Sequence, residues 1–448
     1  MAKEKTFLEK FKESPKGLIY AAPTGSGKTR MALKATKGTK TTVLGTASLQ
    51  ENFDKEEMKA FKTQSTQRDN VTYAKAARGL ELPGGKNLVL DESQYIRNTG
   101  SKTLASLKAQ RHKYDKALLL SATPMYNQPS DIASQVNLIA GTKKIPTGTD
   151  FYKRYYNEKI IQPGLLARMV GVKGGAARTL KSPNDVKESI GKFVHVADPK
   201  KFKDLMPSRT HETIRVKMSK EQEKIYKYMS KDAPFSVRYK VKRNLPPSKT
   251  EAKSLNSYLS GMRQVSNTSA PFVKDKATSK STKMDKMVED LQKELGAGGK
   301  TLVYSNFLAA GIGPMRKRLT AKGIPHSYLT GSMSKSERKE QVAKYTTKNK
   351  INTFLYSGAG AEGLNLPKTT MVQLMEPHWN SARLMQAESR GIRRGDDPTR
   401  TVRVKKYIST FRKGNKKTSG EYLQAMSTRK SDEISTMLRA IKYGKEKS

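Results

Sequence analysis

An α/β protein with two parallel-sheet lobes and a helical insertion between them is the fold this sequence predicts, on three observations. Short apolar runs alternate with helix-patterned stretches from about residue 17 to about residue 140, and the alternation returns from about 300 to about 410. Strands interleaved with helices give parallel sheets covered on both faces, so each stretch predicts one lobe. Between them the chain is basic and polar, with long helical patterns and few strand-like runs.

Taken in order, the strands expected of the first lobe are Gly17–Ala21, Thr41–Gly45, Asn87–Leu90 and Lys116–Leu120. Those of the second are Thr301–Tyr304, His326–Leu329, Ile351–Tyr356, Thr370–Met375 and Thr401–Ile408. The division that follows is residues 1–140 for the first lobe, 141–295 for the helical insertion, 296–410 for the second lobe and 411–448 for a basic tail. The tail carries a helical pattern from about Gly420 to Ile441. Aromatic residues at helical spacing in Phe151–Tyr156 and Glu221–Met229 are expected to pack in a core. Gly171–Pro183 and Lys274–Lys283, rich in Gly, Ser, Thr and Lys, read as mobile loops or linkers. No internal repeat is visible.

A chain of 448 residues holds two or three domains. Its 87 Lys and Arg against 40 Asp and Glu leave a net charge of +47. Such a charge repels itself in a compact state, and a polyanion relieves it; nucleic acid fits, because each neutralised phosphate releases counterions. A solvated Lys-rich surface from compositional bias is the alternative. The absence of cysteine excludes disulfides and thiolate metal sites, and the five histidines show no metal-ligand spacing. No apolar run approaches a membrane span and the first residues lack a secretory segment, so a soluble, intracellular protein without membrane contact is expected.

Ala22-Pro23-Thr24-Gly25-Ser26-Gly27-Lys28-Thr29 follows an apolar strand and opens a helical pattern, as a phosphate-cradling loop does. Gly25 and Gly27 allow successive N–H groups to face phosphate oxygens, Lys28 can reach the β- and γ-phosphates, and the Thr29 hydroxyl can ligate magnesium. Asn87-Leu-Val-Leu-Asp91-Glu92 is an apolar strand ending in paired acids. Asp91 is placed to hold the metal and Glu92 to orient or deprotonate the attacking water. A surface acidic pair capping the next helix is the rival reading. Leu118-Leu-Leu-Ser121-Ala122-Thr123-Pro124 is a third strand, ending in hydroxyls.

With these motifs the chain resembles superfamily 2 helicase-type ATPases, most closely the Swi/Snf-like branch of DNA translocases. The further residues that carry the resemblance are Asp91-Glu-Ser-Gln94-Tyr-Ile-Arg-Asn98, Thr123-Pro-Met-Tyr-Asn127, Leu205-Met-Pro207, Gln222-x-x-x-Tyr226 and Met262-Arg-Gln-Val-Ser-Asn267. After them come Gly331-Ser-Met-Ser-x-x-Glu-Arg338, Gly363-Leu-Asn-Leu366, Trp379-Asn380 and Gln386-Ala-x-x-Arg390-x-x-Arg393. The resemblance covers about residues 17 to 440. It implies two RecA-like lobes that close on ATP and Mg2+, with Gln94, Gln386 and Gly363 also at the nucleotide. Arg390 and Arg393 would then approach from the second lobe, stabilising charge on the γ-phosphate only when the lobes close. A basic surface helix is the rival reading of that segment. The family's residues along the phosphate backbone of DNA match Thr46, Ser48, Ser305, Asn306, Gly331, Ser332, Asn365 and Trp379 here; hydroxyl and amide groups at helix N-termini bond phosphates without reading bases. Each is equally at home as a turn or cap residue, and core packing is the alternative for Trp379.

Three departures stand out. No Gln precedes Gln50, where such ATPases carry an adenine-reading glutamine before the phosphate loop. Arg394-Gly-Asp396 stands where the branch often has a Gly-Gln pair, and Ser381 replaces a usual proline. The implied activity is ATP hydrolysis driving movement on double-stranded DNA. A strand-separating DNA or RNA helicase is the first rival, and an ATPase-type transcription factor subunit is the second. The compact two-lobed form resembles virus-encoded ATPases that assist transcription, so transcription or virion machinery is an expected partner.

Overall fold

Two segments of apolar and helical alternation close into two separate sheets. The computed structural model describes residues 5–62, 67–248, 251–273, 281–347, 351–358, 364–414 and 416–444. In chain order the strands are β1 (Gly17–Ala21), β2 (Thr41–Gly45), β3 (Arg68–Thr72), β4 (Gly85–Asp91), β5 (Tyr114–Ser121), β6 (Tyr156–Ile161) and β7 (Gly175–Leu180). They continue with β8 (Val194–Val196), β9 (Ser208–Lys217), β10 (Thr301–Tyr304), β11 (Ser327–Leu329), β12 (Thr353–Tyr356), β13 (Met371–Leu374) and β14 (Thr401–Thr410). The chain divides into two compact units. Met1–Glu158, Arg178–Lys203 and Lys430–Ser448 make the first, and Lys159–Ala177 with Asp204–Arg429 the second.

The first unit is built on a six-stranded sheet ordered β3-β2-β4-β5-β1-β8, with every pairing parallel. β1 and β2 are buried at every position, as strands covered on both faces must be. β1 starts so close to β5 that a Cβ on Gly17 would stand 1.9 Å from the Ala117 carbonyl oxygen, which excludes any side chain there. Leu118, Leu119 and Leu120 of β5 expose nothing and alternate between the two apolar layers. Phe151 and Tyr155 of the helix Gly148–Tyr155 pack into the same core, as their spacing predicts.

The second unit carries a sheet ordered β11-β12-β10-β13-β14-β9, again parallel throughout. Its outer strand β9 lies along all ten residues of β14, from Ser208 beside Thr401 to Lys217 beside Thr410. The helices Phe235–Arg243 and Ala252–Asn267 pack in this unit, where Val237, Val241, Leu255 and Leu259 meet Tyr422, Leu423 and Met426 of the C-terminal helix Ser419–Tyr443. From Lys430 onward that helix belongs to the first unit, and Met437, Ala440 and Ile441 join the core there.

The structure confirms two parallel-sheet lobes with helices around them, and it corrects the reading of residues 141–295. That stretch is mainly helical, as expected, but it also supplies β6, β7, β8 and β9. Gly171–Pro183, read as a loop, contains β7, which pairs with β6 as a separate ribbon. Lys274–Lys283 lies outside the described residues up to 280, and Thr282 then opens the helix Thr282–Gly296. The two units cut across the four-part division by sequence, because β8 returns to the first sheet and β9 to the second.

Candidate functional site

The candidate nucleotide site of the first unit is assembled at the carboxyl ends of β1, β4 and β5, the edge where parallel sheets bind ligands. β1 ends at Ala21, and the next residues turn sharply: Gly25 has φ 81° and Gly27 has φ 88°, a region that side-chain-bearing residues rarely adopt. Gly27 caps the helix Lys28–Ala35, whose first N–H groups have no partner within the helix and attract anions. Lys28 is enclosed, its Nζ donating to the Ala22 and Pro23 carbonyls at 3.2 Å each. The Ser26 hydroxyl is buried in the same loop with no hydrogen-bond partner among the described residues. Thr29 is half-buried at the first turn.

Asp91 closes β4 and is buried. Burial first, and then the neighbouring Glu92 charge, push its carboxyl up to about 7, while Lys28 and the Glu92 N–H pull it back. The opposition from Lys28 places the loop lysine and the acid in one electrostatic neighbourhood, though they lie far apart in sequence. A carboxylate and a threonine hydroxyl are hard oxygen ligands, the donor chemistry that suits Mg2+ completed by phosphates and water. Among the described residues no group of three or more His, Cys, Asp and Glu forms an all-protein metal cage.

Glu92 adopts φ 52° and ψ 53°, a left-handed conformation that costs a non-glycine residue on the order of 1 kcal/mol or more. Its neighbours hold it there. Its N–H donates to Asp91 Oδ1 at 3.0 Å, and Gln94 Nε2 donates to its Oε2 at 2.8 Å. Gln94 Oε1 accepts from Ser121 Oγ at 2.7 Å, and Ser121 Oγ accepts from the Thr123 N–H at 2.9 Å. A continuous chain of hydrogen bonds therefore runs from Glu92 at the end of β4 to Thr123 beyond β5. Tyr73, which the sequence did not single out, donates its hydroxyl to the Asp91 carbonyl at 2.7 Å. Arg97 lies over the Tyr126 ring at 4.9 Å, and Gln135 accepts from Ser93 at 2.7 Å and donates to the Pro124 carbonyl at 2.5 Å. These contacts clamp the 91–98 and 123–127 segments together.

The remaining predicted nucleotide residues lie in the second unit. Gln386 sits on the helix Ser381–Glu388, capped by Asn380, whose Oδ1 accepts from the Ala382 N–H at 2.8 Å. Arg390 follows one turn later, where its carbonyl accepts from the Leu366 N–H at 2.9 Å. Arg393 Nη2 donates to the Leu364 carbonyl at 3.0 Å. Both arginines therefore lie against the Leu364–Leu366 segment. Gly363, the other expected nucleotide contact, falls outside the described residues. Asp396, one of the departures from the resemblance, forms a two-bond ion pair with Arg400 and so has a structural role.

The predicted polymer contacts divide. Gly331 and Ser332 form an exposed turn in which Arg338 Nη2 donates to the Gly331 carbonyl at 2.9 Å, and Asn365 is exposed. Thr46 caps the helix Ala47–Phe61, and the Ser48 side chain lies outside the described residues. Trp379 is partly buried edge-on to Tyr422, centroids 6.0 Å apart, which is the packing alternative. Ser305 and Asn306 are both tied to Glu376. Ser305 has no exposed surface, and its hydroxyl donates to Glu376 at 3.0 Å. The Asn306 amide is spent at both ends, donating to Glu376 at 3.0 Å and accepting from the Tyr304 hydroxyl at 3.0 Å. The Ser305 side chain is enclosed, whereas Asn306 is half-buried. The sequence reading missed Glu376, although an acid directly after the apolar run Met371–Met375 repeats the pattern that exposed Asp91.

Comparison with known proteins adds an independent line. The SNF2-related domain family matches residues 71–270, and the family described as helicase conserved C-terminal domain matches residues 282–395. A protein of Acanthamoeba polyphaga mimivirus named ATP-dependent RNA helicase L538 is 26% identical over 443 residues, spanning 94% of this chain and 92% of that protein. One of Bacillus subtilis named ATP-dependent helicase/translocase YwqA is 27% identical over 72% of this chain and 33% of its own length. The Schizosaccharomyces pombe SWI/SNF chromatin-remodeling complex subunit snf22 is 23% identical over 72% of this chain and 19% of its own length. The match thus spans nearly all of the viral protein and a minor part of the other two.

Proposed function

The chain is a superfamily 2 helicase-type ATPase of the Swi/Snf-like branch, and on that premise we propose that it couples ATP hydrolysis to translocation on double-stranded DNA, remodelling protein–DNA or transcription complexes. The observation that carries the proposal is the hydrogen-bonded chain from Glu92 through Gln94 and Ser121 to Thr123, beside the Lys28 loop. Hydrolysis needs a positioned base, and transduction needs that base tied to a segment that can move.

In this reading Pro23, Thr24, Gly25, Ser26 and Gly27 wrap the phosphates, and Lys28 exchanges its carbonyl partners for the β- and γ-phosphates. Thr29 and Asp91 would hold Mg2+, which when bound screens the phosphate charge. Glu92 takes the proton of the attacking water, held in place by Gln94. Gln386, Arg390 and Arg393 add positive charge and hydrogen bonds at the γ-phosphate when a polymer draws the lobes together. Gly363 borders the same nucleotide. Thr46, Ser48, Gly331, Ser332, Asn365 and Trp379 line the polymer path. The loop grips phosphates and reads no base, so triphosphates besides ATP are expected to be hydrolysed.

The relative named as an RNA helicase supports strand separation as the second reading. Displacement of a third strand from a triplex, run beside unwinding of tailed DNA and RNA duplexes, separates the two. ATP-dependent triplex displacement without unwinding supports translocation; unwinding with no triplex displacement overturns it.

A further inference from the structure

The second unit encloses a charged cluster with no place in the nucleotide chemistry. Glu376 follows β13 and is 2% exposed. Its Oε1 accepts from the Asn306 N–H at 2.6 Å and the Asn306 side-chain amide at 3.0 Å. Its Oε2 accepts from Ser305 Oγ at 3.0 Å and from Asn267 Nδ2 at 2.9 Å. Four donors from two distant segments therefore converge on one buried carboxylate. Lys283, 1% exposed, supplies the compensating charge: its Nζ donates to Asn267 Oδ1 at 2.9 Å and to the Met375 carbonyl at 3.2 Å. The Ser281 hydroxyl donates to the Asn267 carbonyl, tying the start of the helix Thr282–Gly296 to the end of the helix Ala252–Asn267. Arg263 of that latter helix donates to the Pro377 carbonyl at 3.2 Å and lies over the Phe307 ring at 5.0 Å.

Burying two charges is costly unless both are paired and their remaining hydrogen bonds satisfied, and apolar residues would stabilise such a junction at least as well. What a satisfied polar cluster adds is a single allowed arrangement of the segments it joins. Those segments are the end of the Ala252–Asn267 helix, the start of the Thr282–Gly296 helix, the loop after β13 that leads to Trp379, and the turn after β10. The last of these carries Ser305 and Asn306, the residues expected to meet a polymer.

We infer that Glu376 is a positioning residue for polymer engagement: with Lys283 it locks the Ser305–Phe307 turn to the end of the Ala252–Asn267 helix, so that the second lobe presents one fixed surface to the nucleic acid. Ser305 and Asn306 are held in place by this lock. The inference rests on the polymer-dependent ATPase reading above and names how its second lobe is ordered.

The test measures ATP turnover of the full-length protein against duplex DNA concentration, for wild type, Glu376→Gln, Asn267→Ala and the pair Lys283→Met with Glu376→Gln. Glutamine keeps the shape but turns one acceptor into a donor facing donors. The inference predicts that Glu376→Gln raises the DNA concentration for half-maximal stimulation about tenfold, the effect of losing one or two charge-assisted hydrogen bonds. Asn267→Ala shifts it in the same direction, and polymer-free turnover stays unchanged in both. The paired variant removes both charges, and it provides the measurement if Glu376→Gln alone does not fold; it too must show the raised half-maximal concentration. Folded variants that match wild type in this concentration, or that lose polymer-free turnover in equal proportion, overturn the inference. A wild type that no polymer stimulates instead overturns the reading beneath it.

Discussion

Asp91 and Glu92 adjoin in sequence yet occupy different surroundings, because the backbone turns left-handed at Glu92. Asp91 continues the strand into a buried position beside Lys28, whereas Glu92 turns left-handed and is held by Gln94. Glu92→Gln is therefore expected to lower polymer-stimulated ATP turnover on the order of a thousandfold, the usual worth of a positioned base, with polymer affinity retained. Lys28→Ala should do the same; steady-state turnover beside a filter-binding titration checks both, and wild-type turnover in Glu92→Gln contradicts the assignment. Lys283 makes a different prediction. Burial lowers its ammonium to about 8, against the opposing pull of Glu376, with Arg263 adding to the lowering. The unfolded chain keeps that proton until about 10.4, so between these limits the unfolded state binds more protons and stability rises with pH. The gain is on the order of 3 kcal/mol at most. Lys283→Met removes it: the stability of wild type relative to the variant should grow from pH 8 to pH 10 in denaturant titrations, and a constant difference would place Lys283 in water. At this scale Lys28, Thr29, Asp91 and Glu92 were legible because each ends or follows an apolar strand. Lys283 and Glu376 were not, since in a chain with 127 charged residues (87 plus 40) a buried charge looks like any surface charge.

Among the elements, what could be read depended on how many faces a strand buries. β1, β2, β10, β12 and β13 are enclosed on both sides and stand out as apolar runs. The edge strands β3 and β9 did not. β3 reads Arg-Asp-Asn-Val-Thr with one buried residue, and β9 reads Ser-Arg-Thr-His-Glu-Thr-Ile-Arg-Val-Lys with none. β9 is held by pairing along β14 and by Arg209 and His211, which donate to the buried Glu388 at 3.2 Å and 2.8 Å. No apolar alternation could announce it. β5 is the opposite case: Leu119→Ala removes a fully enclosed side chain from its core face and is expected to cost about 2 to 5 kcal/mol by opening a cavity. Chemical denaturation checks this, and a loss well under 1 kcal/mol would mean that the sheet is not close-packed there.

On the scale of the whole molecule, the charge of +47 is the property that composition alone made visible, and it sets how a polymer is met. If many phosphates are neutralised together, affinity for duplex DNA should fall on the order of a thousandfold between about 50 mM and about 200 mM salt. Fluorescence anisotropy titrations would show it, and a flat salt profile would remove electrostatics from the account. Among the described residues no helix is long and apolar enough to cross a membrane. The two sheets and their order of motifs were readable because strand and helix alternate within each lobe, whereas the return of β8 and β9 to different sheets is set by tertiary pairing that leaves no local signal. The central claim is that a polymer governs the hydrolysis performed by the Lys28 loop and Glu92. It is tested most directly by measuring ATP turnover in parallel with no polymer, duplex DNA, single-stranded DNA and RNA. The account predicts low turnover alone and the largest stimulation by duplex DNA, abolished in Glu92→Gln; equal turnover in all four arms, or stimulation that survives Glu92→Gln, would contradict it.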